Sequence, residues 1–104
     1  MYHRFDETKY PSTNIQFHIF LKHIQLIKKL GYDFIHPKDF EENFNVPKKQ
    51  KKILLTIDDA FKSFYDVAWP YLRENKIPFI LFVSTEPIGN QGYMTWSQLK
   101  EINK

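Results

Sequence analysis

Two uninterrupted apolar runs constrain the fold of this chain most. They are residues 53–57 (ILLTI) and 79–83 (FILFV), and neither alternates apolar with polar side chains. Each run therefore predicts a strand buried on both faces, which is typical of a parallel sheet covered by helices. Residues 61–75 between them have helical apolar spacing interrupted by Pro70, which predicts a helix that bends or restarts there. A strand, a helix and a second strand in this order indicate an α/β fold.

The N-terminal third continues this alternation. Residues 1–5 (MYHRF) predict an opening strand, and the polar stretch 6–13 predicts a loop. Thr13 and Gln16 match a capping box, so we expect a helix to begin at Thr13. Gly31 follows the last apolar position of that helix and predicts its end.

Three further segments complete the predicted order. Residues 32–35 favour a short strand, and Pro37 favours a short helix that runs to about residue 43. A second capping box at residues 95–98 predicts a final helix. Strands and helices alternate through the whole chain, so we expect residues 1–104 to belong to one domain.

Composition excludes several classes of protein. The 104 residues contain no cysteine, which excludes disulfide scaffolds, cysteine zinc sites and thiol chemistry. The net charge is only +3, and the basic run at 47–52 (PKKQKK) carries no interleaved aromatic, so a solvated loop is favoured over nucleic-acid binding. No apolar run approaches the ~20 residues that span a bilayer, and no secretion signal opens the chain.

The candidate functional residues are Asp58 and Asp59, which follow the apolar run 53–57 directly. Ligands bind at the carboxyl ends of parallel strands, where the loops converge. Adjacent residues point in different directions, so one carboxylate can hold a metal ion while the other faces a water molecule. From spacing alone, a solvated pair that caps the next helix is the alternative. His18 and His23 are five residues apart, which does not match the i, i+4 spacing of a helical metal site.

The sequence ILLTIDDAF resembles the first motif of the NodB-type polysaccharide deacetylases, usually Thr-Phe-Asp-Asp-Gly, with Ala60 in place of the glycine. Other stretches are similar in the same order, namely MYHRF, KYPSTN, GYDFI, PYLRENKIPFILFVST and GYMTWSQLKEI. By this resemblance, residues 1–104 are identified as the N-terminal part of a polysaccharide deacetylase domain.

The resemblance implies a partial distorted (β/α) barrel and the hydrolysis of N-acetyl groups on the amino sugars of a polysaccharide. It implies that Asp58 is the general base and that Asp59 binds a divalent metal ion, zinc or one similar to it. It places His3 and Trp96 as candidate substrate-binding residues. Members of the family often act outside the cytoplasm or at the cell surface, but this chain carries no signal that settles its location.

One departure from the family pattern changes what we expect of this chain. The family's second motif, His-Ser/Thr-x-x-x-His, supplies further metal ligands and has no counterpart here. All four histidines precede the Asp pair: His3, His18, His23 and His36. The later motifs that furnish an arginine and a general acid are also missing. We therefore expect a fragment of the domain, ending before its second half and inactive alone, whose remaining metal ligands are absent.

Two other classes of function stay open at this point. A non-catalytic carbohydrate-binding or interaction module would keep the same half fold, and the aromatic content of 17% supports it. A phosphate-responsive receiver would need an acceptor aspartate after the run 79–83, where Ser84 and Thr85 stand instead. Half a barrel would also leave an open sheet edge, so we expect the isolated chain to be marginally stable, to self-associate or to depend on a partner.

Overall fold

The computed structural model describes residues 1–39 and 51–103. Two sequence predictions therefore lie mostly outside the described residues: the loop at 47–52, and the helix from Pro37, of which the 3-10 turn Pro37–Asp39 is described. The regular elements are β1 (Arg4–Phe5), β2 (Asn14–Ile15), α1 (Phe17–Lys29), β3 (Asp33–Phe34), β4 (Lys52–Ile53), β5 (Thr56–Asp58), α2 (Trp69–Glu74), β6 (Ile80–Phe82) and α3 (Trp96–Ile102).

The three strand ladders of the described residues are all parallel, as the apolar runs predict. β1 pairs with β2, β3 with β4, and β5 with β6. An isolated parallel bridge between Tyr2 and Ile57 places the start of the chain beside β5. The parallel α/β class is thereby confirmed, while closure of these strands into a barrel stays a prediction.

The predicted start of the first helix at Thr13 is wrong. The helix α1 begins at Phe17, and its N-cap, Gln16, makes no side-chain cap. The Phe17 N–H is instead satisfied by Asp6 Oδ1 at 2.8 Å, from the loop that precedes it. Thr13 Oγ1 accepts a hydrogen bond from Arg4 Nε at 3.0 Å. The Thr13 hydroxyl is thus bound by Arg4 instead of capping the helix.

The predicted end of α1 is confirmed. Gly31 has φ +85° and follows the C-cap Leu30. Its N–H donates to the Lys28 carbonyl at 3.0 Å, and the Tyr32 N–H donates to the Ile27 carbonyl at 3.1 Å. These two bonds form a Schellman motif, which needs a left-handed residue that glycine adopts without steric cost.

The predicted interruption at Pro70 is also confirmed. Residues Phe64–Ala68 form a π-helical turn, and α2 restarts at Trp69 with Pro70 in its first turn. The π-helical turn runs directly into α2, because the Trp69 N–H donates to the Phe64 carbonyl, and Pro70 itself has no N–H that would need a partner.

The expectation that residues 79–83 form a strand buried on both faces is wrong. The strand β6 is shorter, with Phe82 exposed to 55% and Val83 to 37%. Among the described residues β6 pairs only with β5, so its other edge has no strand beside it there. By contrast, Leu55 and Ile57 of the first apolar run are buried.

One continuous core lies between the strands and the helices α1 and α2. Phe5 and Phe20 meet edge to face at 5.1 Å between ring centroids, and Phe64 packs on Phe79 at 5.3 Å. The buried members are Phe5, Phe20, Ile24, Leu55, Ile57, Ala60, Phe64, Ala68, Trp69, Leu72, Ile77, Ile88 and Met94. No helix of the described segments is long and apolar enough to cross a membrane.

Candidate active site

The sheet register brings His3 to Asp58. The Tyr2 N–H donates to the Thr56 carbonyl at 3.1 Å, and the Asp58 N–H donates to the Tyr2 carbonyl at 2.8 Å. The next residue, His3, therefore lies opposite Asp58, the last residue of β5. Nε2 of His3 is 3.6 Å from Oδ2 of Asp58. Two of the sequence-predicted site residues thus meet at the carboxyl end of a parallel strand, where such proteins bind ligands.

The other oxygen of the Asp58 carboxylate, Oδ1, lacks the hydrogen bond that buried polar atoms normally have. Oδ1 of Asp58 is buried and has no hydrogen-bond partner among the described residues, although the side chain as a whole is 22% exposed. A buried acceptor without a partner costs about 1–3 kcal/mol, so such atoms occur where a ligand, an ion or a water molecule is expected. This oxygen marks Asp58 as a functional candidate on structural grounds.

The two residues after Asp58 have a strained backbone. Asp59 has φ 75° and Ala60 has φ 53°, both in the left-handed region that side chains other than glycine disfavour. Hydrogen bonds hold this conformation: the Asp59 N–H donates to the Phe82 carbonyl at 2.9 Å, and the Met94 N–H donates to the Ala60 carbonyl at 3.0 Å. Strain held in this way is typical of functional sites. We call residues 58–61 the Asp turn.

Phe61 closes the Asp turn and is fixed on two sides. It forms an antiparallel bridge with Tyr93, and their rings lie 5.0 Å apart. On its other side the Arg4 guanidinium lies 3.6 Å from the Phe61 ring centroid and 4.0 Å from that of Tyr10. The arginine is therefore held between two rings, an arrangement that favours a cation in partly buried surroundings.

A small polar network ties the N-terminal loop to the segment after the Asp turn. The Ser63 hydroxyl donates to Glu7 Oε2 at 2.6 Å and accepts from the Phe5 N–H at 3.0 Å. Arg4 Nη1 donates to Glu7 Oε1 at 3.3 Å. Sequence reasoning missed this network, because nothing in the local pattern links Glu7 with a serine 56 residues away.

Tyr2, next to His3, anchors the opening segment to α1. Its hydroxyl and Nδ1 of His23 form a hydrogen bond of 2.7 Å. Burial raises the pKa of Tyr2 above its ordinary value of 10.0. The phenol is therefore protonated throughout the neutral range, and the exposed His23 side chain contacts the opening segment through it.

Trp96 does not join this cluster. It is the first residue of α3, is 53% exposed, and lines an apolar groove of about 770 Å³ along β6. The residues that line this groove do not include His3, Asp58 or Asp59. A substrate contact by Trp96 therefore stays a prediction.

The described residues do not by themselves fit a metal site. Among residues 1–39 and 51–103, no group of three His, Cys, Asp or Glu side chains could hold a metal ion. Catalytic zinc uses about three protein ligands. Asp58, Asp59 and His3 therefore do not amount to a complete zinc site.

The strain at Ala60 gives a stability prediction with a matched control. Both Ala60 and Ala68 are fully buried, but Ala68 has an ordinary helical φ of −89°. Replacing Ala68 with glycine should cost about 2 kcal/mol, from the lost methyl and the lower helix propensity. Ala60→Gly loses the same methyl but relieves about 1 kcal/mol of left-handed strain. We therefore expect Ala60→Gly to be the milder change by at least about 1 kcal/mol in urea unfolding, and equal losses would contradict a strained turn.

Comparisons with known proteins identify the family. Residues 45–104 match the family model described as polysaccharide deacetylase, and this chain belongs to that family. YxkH of Bacillus subtilis, which is named as a polysaccharide deacetylase, is 28% identical over 85 residues.

Two solved structures agree with this assignment. IcaB from Ammonifex degensii is 29% identical with a TM-score of 0.83, over 98% of this chain and 46% of IcaB. The Streptococcus pyogenes deacetylase PplD, solved in complex with acetate, is 27% identical with a TM-score of 0.78, over 99% of this chain and 50% of PplD. The chain spans about half the length of these solved relatives and 30% of YxkH, whose match covers 80% of this chain.

Proposed function

We propose that this chain provides the N-terminal half of a metal-dependent deacetylase that removes N-acetyl groups from the amino sugars of a polysaccharide. The single observation that carries the proposal is Asp58 itself. It lies at the carboxyl end of β5, has one buried oxygen without a partner among the described residues, and has His3 3.6 Å from the other. Membership of the polysaccharide deacetylase family supports the reaction class.

In this proposal Asp58 acts as the general base. The reaction consumes one water molecule, breaks the bond between the carbonyl carbon and the nitrogen, and releases acetate and a free amine. The carboxylate takes a proton from the attacking water, a task that suits a largely buried carboxylate with an unused lone pair. His3 contacts the same carboxylate and would orient it or touch the substrate, and Trp96 would offer a flat apolar surface to a sugar ring.

Asp59 is the proposed metal ligand, with zinc or a similar divalent ion as the cofactor. The described residues lack the three donors that zinc requires, so the further ligands must come from outside them. When bound, the ion would polarise the amide carbonyl and lower the pKa of water.

Zinc titration of the purified chain tests whether the metal site needs ligands from outside the described residues. We expect no tight binding at one ion per chain in isothermal titration calorimetry, because residues 1–39 and 51–103 hold too few ligands. Weak binding that Asp59→Ala leaves unchanged would agree with scattered surface histidines. Tight stoichiometric binding that Asp59→Ala abolishes would contradict the proposal that the site is incomplete.

A chimera tests the catalytic function directly. Residues 1–104 would replace the structurally matched half of PplD, which this chain covers at a TM-score of 0.78. We expect the folded chimera to release acetate from the substrate that the parent PplD deacetylates, whereas the 104-residue chain alone releases none. The parent enzyme serves as the positive control, and a cooperative thermal transition shows that the chimera is folded. A folded chimera that releases no acetate would overturn the proposal.

A non-catalytic carbohydrate-binding module is the second candidate. The exposed indole of Trp96 beside an apolar groove favours it, because exposed aromatic rings can stack on sugars. Binding of N-acetylglucosamine oligomers by the chain, lost in Trp96→Ala, together with an inactive folded chimera, would favour this function over catalysis.

A further inference from the structure

The opening segment of the chain contacts both ends of the Asp turn. Nε2 of His3 lies 3.6 Å from Oδ2 of Asp58, the first residue of the turn. The guanidinium of Arg4, the next residue along the chain, lies 3.6 Å from the ring centroid of Phe61, the last residue of the turn. His3 already has a place in the proposed reaction, whereas Arg4 contacts the site without one.

Two aromatic rings and two hydrogen-bond acceptors fix the Arg4 side chain. Its guanidinium lies between the rings of Phe61 and Tyr10, 4.0 Å from the centroid of the second. Nε donates to Thr13 Oγ1 at 3.0 Å, and Nη1 donates to Glu7 Oε1 at 3.3 Å. The side chain is only 15% exposed. These contacts suit the planar guanidinium of arginine, which stacks on rings and donates from its edge, and do not suit the ammonium of lysine.

The loop that receives Arg4 is itself bound to the segment after the Asp turn. Oε2 of Glu7 accepts from the Ser63 hydroxyl at 2.6 Å, while Oε1 accepts from Arg4. The same hydroxyl accepts from the Phe5 N–H at 3.0 Å. The arginine is therefore held against the Phe61 ring by a loop that is bonded two residues beyond that ring.

The Asp turn needs this support because its backbone is strained. Asp59 and Ala60 both have a left-handed φ that side chains disfavour, so the free energy of the turn falls if it relaxes. Such conformations persist only where the surroundings over-determine them. Phe61 comes next, is 4% exposed, and bridges to Tyr93 through its backbone while Arg4 lies over its ring. The ring thus fixes the end of the turn.

We propose that Arg4 is a positioning residue for the Asp58 carboxylate, because it holds the Phe61 ring and, through that ring, the Asp turn. This role rests on the proposed function, in which Asp58 takes a proton from the attacking water. Displacement of reacting groups by about 1 Å can lower a rate by about 10²-fold, so a residue that never touches the substrate can control the rate. Arg4 acts through Phe61 and is not itself catalytic.

Amide hydrogen exchange of the 104-residue chain, followed by NMR, tests the positioning without requiring catalysis. The Asp59 and Met94 N–H groups make the hydrogen bonds that hold the turn, so their exchange reports its local opening. We expect Arg4→Gln to speed exchange at both amides by about tenfold, because it removes a largely desolvated cation–π contact. The Ile77 N–H, which is hydrogen-bonded after the end of α2, should keep its rate.

Arg73→Gln is the matched control for this substitution. Arg73 also lies over a ring, 4.6 Å from the centroid of Trp69, but it belongs to the last turn of α2 and not to the site. It should leave exchange at the Asp turn unchanged. Arg4→Lys keeps the charge and can still bond to Glu7, but it cannot stack as a plane, so it should give the local effect of Arg4→Gln with less risk of unfolding.

A double-mutant cycle tests whether Arg4 acts through Phe61. In a chain that carries Phe61→Leu, we expect Arg4→Gln to change exchange at the Asp turn by less than about twofold, because the ring on which it acts is gone. In the PplD chimera, Arg4→Gln should lower kcat for acetate release by about tenfold and leave KM within about twofold, since the turn is displaced and substrate contacts are kept.

The exchange and kinetic measurements separate failure of this role from failure of the proposed function. A folded parent chimera that releases no acetate would overturn the deacetylase function, and exchange at the Asp turn would still decide whether Arg4 holds it. The positioning role is wrong if Arg4→Gln and Arg4→Lys both leave that exchange unchanged, or speed it no more than they speed exchange at Ile77. Independent effects of Arg4 and Phe61, or a folded Arg4→Gln chimera with unaltered kcat, would also overturn it.

Discussion

Replacing Leu72 with alanine is expected to destabilise the folded chain by about 2–5 kcal/mol. Leu72 is fully buried in α2, within the core cluster. The substitution removes the transfer free energy of the lost methyl groups and leaves a cavity in the core cluster, which relaxes only in part to fill it. The loss is large against the roughly 5–15 kcal/mol that stabilises a typical domain.

Leu26→Ala is the matched control for this prediction. Leu26 lies in α1 but is 54% exposed, so the same substitution in another helix should change stability by no more than about 0.5 kcal/mol. Urea unfolding followed by circular dichroism measures both changes at one low protein concentration, at which association does not contribute. Similar losses in the two variants would contradict the placement of Leu72 in the core and Leu26 at the surface.

The local signals in the sequence predicted several elements correctly. Gly31 ends α1 because it adopts the left-handed conformation that the C-terminal motif needs. A π-helical turn interrupts the regular helix just before Pro70, whose ring would clash with the carbonyl four residues earlier in a regular α-helix. The capping box at Thr95 forms with both of its hydrogen bonds. Each of these features depends on residues within five positions of one another, which is why pattern reading finds them.

Features that depend on distant segments were not predictable in this way. The capping box at Thr13 fails because Arg4 binds its hydroxyl and because Asn14–Ile15 pair with β1 instead. The exposure of β6 depends on which elements lie next to it, and an apolar run in the sequence carries no information about those neighbours. Sequence patterns also gave no sign that Arg4 lies over the Phe61 ring beside the Asp pair.

The candidate site itself was predictable in part. The position of Asp58 and Asp59 after an apolar strand indicated a ligand edge, and the structure places Asp58 there beside His3. The orphaned Oδ1 of Asp58 and the left-handed backbone of Asp59 and Ala60 are visible only in three dimensions. These two observations favour a functional turn over a solvated pair that caps the next helix.

In the active chimera, Asp58→Asn is expected to reduce the rate constant of acetate release by about 10²–10⁴-fold, the range that general base catalysis contributes. An amide has nearly the shape of the carboxylate but cannot accept a proton from water, so the fold should persist while the proposed base is lost. Asp66→Asn is the control, because Asp66 is an exposed aspartate of the π-helical turn outside the site, and its rate should stay at that of the chimera. Thermal unfolding of all three proteins separates loss of catalysis from loss of structure. An Asp58→Asn chimera that is folded and fully active would remove Asp58 from the reaction, and the unpartnered oxygen would then require another explanation.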